Sequence, residues 1–94
     1  MAKAVLNGVV IAESDQVKIV EGNCYFPPDS VNREFIKPSE TRSICPWKGI
    51  ASYYDVEVED EVIKDGAWSY HDPKEAARHF AEYVAFWRGV EIEE

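Results

Sequence analysis

The chain has 94 residues, 46% hydrophobic and 13% aromatic, with a formal net charge of -8. That length supports one hydrophobic core rather than two, so a single domain over residues 1–94 is expected, with its aromatic side chains supplying much of the buried area. The acidic excess repels phosphate backbones and anionic lipid, which excludes nucleic acid and membrane surfaces as expected partners.

Met1 to Ala12 holds one lysine and an apolar run broken by Asn7-Gly8. It has neither the length of a signal h-region nor a cleavage pattern, and no run in the chain reaches transmembrane length. Asn7-Gly8 instead tolerates the positive φ angles of a two-residue turn, so Ala4 to Leu6 and Val9 to Ala12 read as a hairpin. Val17 to Val20 and Cys24 to Phe26 form a second hairpin around Glu21-Gly22-Asn23, closed by Pro27-Pro28, where neither residue can donate to a ladder. Asp29 or Ser30 then caps an expected short helix with Val31 and Phe35 on one face and Pro38 at its end.

Ser39 to Ser43 reads as extended, Cys45 to Gly49 as a loop and Ile50 to Val58 as the longest strand, rich in β-branched and aromatic residues. Val62 to Lys64 and Ala67 to Tyr70 follow as short strands. Asp72-Pro73-Lys74-Glu75 carries the signals of a helix start, and Ala76, Phe80, Tyr83 and Trp87, with Ala77 and Val84, share one helical face up to about Arg88. Gly89 is placed to end that helix, and Val90 to Ile92 to add an edge strand. The expected fold class is therefore α+β: a mostly antiparallel, strongly bent β-sheet or partly open barrel with one C-terminal α-helix.

Cys45-Pro46-Trp47-Lys48-Gly49 concentrates a thiol, an indole and an amine in one proline-shaped turn. Lys48 favours a thiolate at Cys45, which makes these two the candidate catalytic residues, while Trp47 offers a face for stacking on a planar group. The plainer interpretation is a buried inert thiol, a core indole and a solvated lysine. Glu21 and Tyr25 around the second hairpin, with Tyr53, Trp68 and Tyr70 on strands, add a carboxylate and more rings than a core of this size needs, so they are candidate ligand-binding residues.

Asp55, Glu57 and Glu59 alternate along a strand and share one face, a pattern that can hold divalent cations for nucleotidyl transfer but that equally describes a wet strand face. No phosphate-cradling glycine loop accompanies it. His71 beside Asp72 lacks a fixed partner, because Asp72 serves as a cap, and His79 reads as solvated between Glu75 and Glu82. Two cysteines are too few for a disulfide scaffold or a paired-knuckle zinc site, so no metal, no cofactor and a reducing, cytoplasmic setting are expected.

Asn7-Gly8 with Ala12-Glu13-Ser14, Glu21-Gly22-Asn23 with Tyr25-Phe26-Pro27, Cys45-Pro46-Trp47-Lys48-Gly49 with Ala51-Ser52-Tyr53, Ala67-Trp68-Ser69-Tyr70 and Val84-Ala85-Phe86 together resemble the domain of unknown function 427 family. The resemblance implies a β-tent-like fold and a cytosolic bacterial or fungal protein. That family is sometimes labelled a nucleotidyltransferase domain, a label that transfers no role to any residue here. Zinc-holding relatives of the β-tent type use cysteine pairs that this chain lacks, and the family pattern fixes neither Cys24 nor His71-Asp72. The reading that absorbs most of the singled-out residues is binding of a small planar molecule in an aromatic-lined pocket. An enzyme using Cys45 as nucleophile or redox centre is the alternative, followed by a protein-interaction domain and then nucleotidyl transfer.

Overall fold

Glycine and asparagine turns and β-branched runs organise this chain into strands almost throughout. The computed structural model describes residues 1–94 and contains nine strands: β1 Ala2–Leu6, β2 Val9–Ser14, β3 Lys18–Val20, β4 Asn23–Tyr25, β5 Ile36–Cys45, β6 Gly49–Val58, β7 Glu61–Ser69, β8 Val84–Phe86 and β9 Glu91–Glu93. They form open antiparallel sheets in the orders β2-β1-β9, β3-β4 and β5-β6-β7-β8. The first two hairpins turn as their sequences require, with Asn7 and Gly8 at φ 53° and 77° and Glu21 and Gly22 at φ 53° and 81°. These angles give the backbone the twist that matches the flanking strands.

Two corrections to the expected α+β class follow. There is no C-terminal α-helix: residues Glu75–Phe80 make only a 3₁₀ helix, and Val84–Phe86 leaves as strand β8, paired with Ala67, Trp68 and Ser69 of β7. Lys74, not Asp72, is the N-cap and makes no side-chain cap bond. Val84, Ala85 and Phe86 are all buried, and burial of consecutive residues belongs to a strand covered on both faces rather than to an amphipathic helix. Glu82 and Arg88 sit at φ 68° and 58°, which interrupts any helix through this segment. The short helix expected after Pro28 is likewise two 3₁₀ turns, Pro28–Ser30 and Arg33–Phe35, the second capped by Asn32. Pro38 lies inside β5 opposite Tyr54 and is tolerated because β5 is an edge strand. The fold is nearly all β, and its sheets stay open rather than closing into a bent sheet or barrel.

The two segments expected at Val62 to Lys64 and Ala67 to Tyr70 are one strand, β7, interrupted where the pairing register shifts. Asp65 takes φ 54° there, its N–H held by Asp55 Oδ1 at 2.9 Å and its carboxylate by the Ser39 and Thr41 hydroxyls.

The central sheet buries both faces where β6, β7 and β8 meet. One cross-strand row, Tyr54-Ala67-Phe86, enters a first core with Leu6, Ile11, Phe26, Val56 and Val58; the next row, Tyr53-Trp68-Ala85, turns to a second core with Tyr25, Tyr70, Ala77 and Phe80. Alternation of side chains across a strand is the reason adjacent rows part in this way. A bridge between Phe26 and Val84, with N···O distances of 2.8 and 2.9 Å, ties the β3-β4 hairpin to the edge of this sheet. No helix is long and apolar enough to cross a membrane.

Candidate functional site

The β5-β6 hairpin ends at the Cys45-Gly49 pair, and Pro46-Trp47-Lys48 make its tip. Gly49 takes φ 113°, a region that L side chains rarely adopt, and this lets the tip fold back onto Pro73 and Lys74. Two bonds hold it there: Lys74 N–H donates to the Lys48 carbonyl at 2.9 Å, and Lys74 Nζ to the Pro46 carbonyl at 2.6 Å. The Lys48 side chain is consequently only 7% exposed. Its ammonium is paired with Glu21 Oε1 and stands 5.3 Å from the Trp47 ring centroid and 5.5 Å from that of Tyr70. The Trp47 indole N–H donates to the other Glu21 oxygen, Oε2, at 3.2 Å.

Burial opposes the charge on Lys48, but the hydrogen bond it donates to Glu21 and the nearby Tyr25 and Tyr70 oxygens more than offset it, so its pKa rises above the ordinary 10.5. The bond from Lys48, and then that from Trp47, hold Glu21 below the ordinary 4.5. Burial pushes the Tyr70 phenol up to about 12.

Around this pair the rings pack in tilted and edge-to-face contacts. Tyr25 lies 4.9 Å from Phe80, and Trp47 and Tyr70 each lie 6.2 Å from it. The Trp68 indole N–H donates to the Tyr25 hydroxyl at 3.1 Å, satisfying a buried donor. Trp68 continues to Tyr53 at 6.4 Å and Trp87 at 5.1 Å, and the Arg88 guanidinium covers Trp87 at 4.5 Å. The rings fill the space among themselves, and no cavity opens between them. The surface depression that the molecule does have, about 400 Å³, lies elsewhere, against Asn7, Glu59, Asp60, Glu61 and Val62.

The model of the domain of unknown function (DUF427) family matches residues 1–94, the whole chain. The chain belongs to that family. Comparison with curated proteins gives no match.

In this DUF427 chain, Glu21, Tyr25, Trp47, Lys48, Trp68 and Tyr70 thus converge on one neighbourhood, with Tyr53 at its edge. Cys45 is half-buried and packs against the same ring cluster, whereas Cys24 lies in the first core, and both are free thiols. Burial raises the Cys24 pKa. Asp55, Glu57 and Glu59 do not converge: Asp55 faces Lys64 at 3.5 Å, Glu57 faces Lys37 at 3.0 Å and Glu59 accepts from Asn7 at 3.2 Å. Among His, Cys, Asp and Glu, no group of three is disposed to hold a metal ion.

Sequence reasoning missed two features. Phe80 and Trp87, read as a helical stripe, are instead the hub and outer wall of the ring cluster. His71 has partners after all: its Nε2 lies 3.1 Å from the Tyr54 hydroxyl and its Nδ1 2.6 Å from Glu82 Oε1. Glu82 reaches it because the chain turns back at φ 68°, with Glu82 N–H bonded to the Tyr70 carbonyl at 3.0 Å. On the expected helix, eleven residues away, it would not.

Proposed function

We propose that this protein binds a small planar molecule, laid against the rim of the ring cluster where Trp47 stands beside Lys48 and Tyr70. The observation that carries the reading is the state of Trp47. It stays 38% exposed, yet its indole is fixed by the bond to Glu21 and by edge contact with Phe80. A rigid, open aromatic face next to an enclosed ammonium offers stacking area at little entropic cost. Because the rings leave no cavity, the ligand lies on the rim or takes the place of a side chain that moves aside. The two free thiols support the reducing cytosol as the setting.

A thermal-shift panel of neutral and charged planar compounds, including indole, benzamide, benzoate and nicotinate, tests this. A ligand present at about a hundred times its Kd raises Tm on the order of 10 °C for a domain of this size. The expected outcome is a shift with at least one member that Trp47→Ala abolishes while the variant stays folded. Shifts that survive Trp47→Ala unchanged would place binding elsewhere.

A further inference from the structure

We propose that Lys48 is a carboxylate-binding site occupied in the free protein by the chain's own Glu21, so that the ligand is a planar molecule bearing a carboxylate that displaces Glu21. The proposal rests on the reading of the Trp47 rim as a planar-molecule site and names the chemical class that site takes.

Three observations converge. First, the pair is unequal: the Lys48 side chain is 7% exposed and that of Glu21 51%. Lys48 is clamped in its tip by Lys74, whereas Glu21 stands on a tight turn between strands of only three residues each. Glu21 can swing into water and be hydrated; Lys48 cannot follow. Second, an enclosed ammonium left without a counter-charge is costly, so any anion reaching it recovers that cost. Lys48 ion-pairs with Glu21 alone.

Third, the site is shaped for two oxygens on one carbon. Glu21 Oε1 takes the Lys48 ammonium and Oε2 takes the Trp47 indole N–H, so the protein presents a cation and a neutral donor at the spacing of one carboxylate. The Trp47 and Tyr70 rings flank the ammonium, and whatever is attached to an incoming carboxylate meets these rings. An aromatic or otherwise flat carboxylic acid fits that surround. The net charge of -8 gives no long-range pull on an anion, so recognition falls to these contacts.

Displacement predicts opposite effects from the two halves of the pair. Isothermal titration of the full chain with benzoate and with benzamide, its uncharged counterpart, is the test. Glu21→Gln, which removes the competing charge and keeps the side chain's shape, is expected to tighten benzoate binding at least tenfold relative to benzamide. Lys48→Met is expected to abolish benzoate binding while benzamide still binds. In the unaltered protein, saturating benzoate is expected to return the Glu21 carboxyl, followed by carbon NMR, toward its ordinary titration, which needs no variant to fold. Benzoate affinity that is unchanged or weakened in a folded Glu21→Gln, or a Glu21 titration unaffected by bound benzoate, overturns the displacement while the planar site stands. A panel in which neutral and charged members alike fail to bind any variant overturns both.

Discussion

The two cores on either side of the central sheet are built differently. The first gathers sixteen buried residues, mostly aliphatic, with Phe26 and Phe86 at a centroid distance of 5.8 Å, and strands of all three sheets contribute to it. The second has seven, of which Tyr25, Trp68, Tyr70 and Phe80 are aromatic and the remaining three are alanines that make room for them. A 3₁₀ turn and the tips of two hairpins cover it. Strand-on-strand burial ties most of the surrounding backbone into hydrogen-bonded ladders. Cover by hairpin tips brings polar side chains such as Lys48 and Glu21 to the edge of an apolar cluster, where charge is least screened and a side chain can leave without unfolding a strand. The first core is the larger and more uniformly apolar of the two, and the second borders the rim at which ligand binding is proposed.

The strongest way to break that contrast is to empty the first core. Phe26 is fully buried and also makes the bridge to Val84. Phe26→Ala is expected to cost about 3–5 kcal/mol, a large part of the total for a domain this size, measured by urea denaturation. A loss below about 1 kcal/mol would mean the first core repacks freely and is no more rigid than the second.

Gly49→Ala tests the hairpin tip. Space is available for a Cβ, whose nearest neighbours lie at 3.5 Å, so the cost comes from the φ of 113°. It is expected at about 1–3 kcal/mol, accompanied by a change in tryptophan fluorescence as Trp47 and Lys48 shift. Unchanged fluorescence and stability would show that the tip tolerates another backbone geometry.

Trp47→Ala is expected to cost only about 1 kcal/mol, because much of the indole already faces water. A loss as large as that of Phe26→Ala would make Trp47 a core residue and count against the stacking role proposed for it.

The smallest effect is on pH dependence. Glu21 titrates lower in the folded chain than in the unfolded one, so its contribution is complete above the ordinary 4.5 and is lost as pH falls through the folded value. Lys48 titrates higher in the folded chain, so its contribution is complete below the ordinary 10.5 and is lost as pH climbs through the folded value. Urea midpoints from about pH 3 to about pH 7 should therefore fall less steeply on the acid side in Lys48→Met than in the unaltered protein. Equal acid slopes would show that the pair contributes nothing to stability.

Much of the β framework was legible in advance. Asn7-Gly8 and Glu21-Gly22 adopt the positive φ that their turns demand, and the alternating run from Ile50 to Val58 is a strand. The C-terminal third was not legible in the same way. A proline-bearing start and a stripe at helical spacing are real local signals, but each is worth on the order of 1 kcal/mol. Pairing Val84–Phe86 with β7 on one side and Val84 with Phe26 on the other buries three consecutive side chains and bonds their backbone. The residue types of Cys45 to Gly49 and Trp68 to Tyr70 suggest that the two segments lie side by side at a pocket mouth; Lys48 does lie over Tyr70, but the rings close the space between them and the depression is elsewhere.

What the sequence determined alone was what short-range chemistry can encode: hairpins at glycine turns, a strand at each β-branched run, an acidic surface and membership of the DUF427 family. Tertiary structure decided the fate of the last segment, the division of aromatic residues between two cores, and the meeting of Glu21 with Lys48. Those outcomes depend on contacts between residues far apart in the chain, whose energies outweigh local propensity only once the central sheet has assembled.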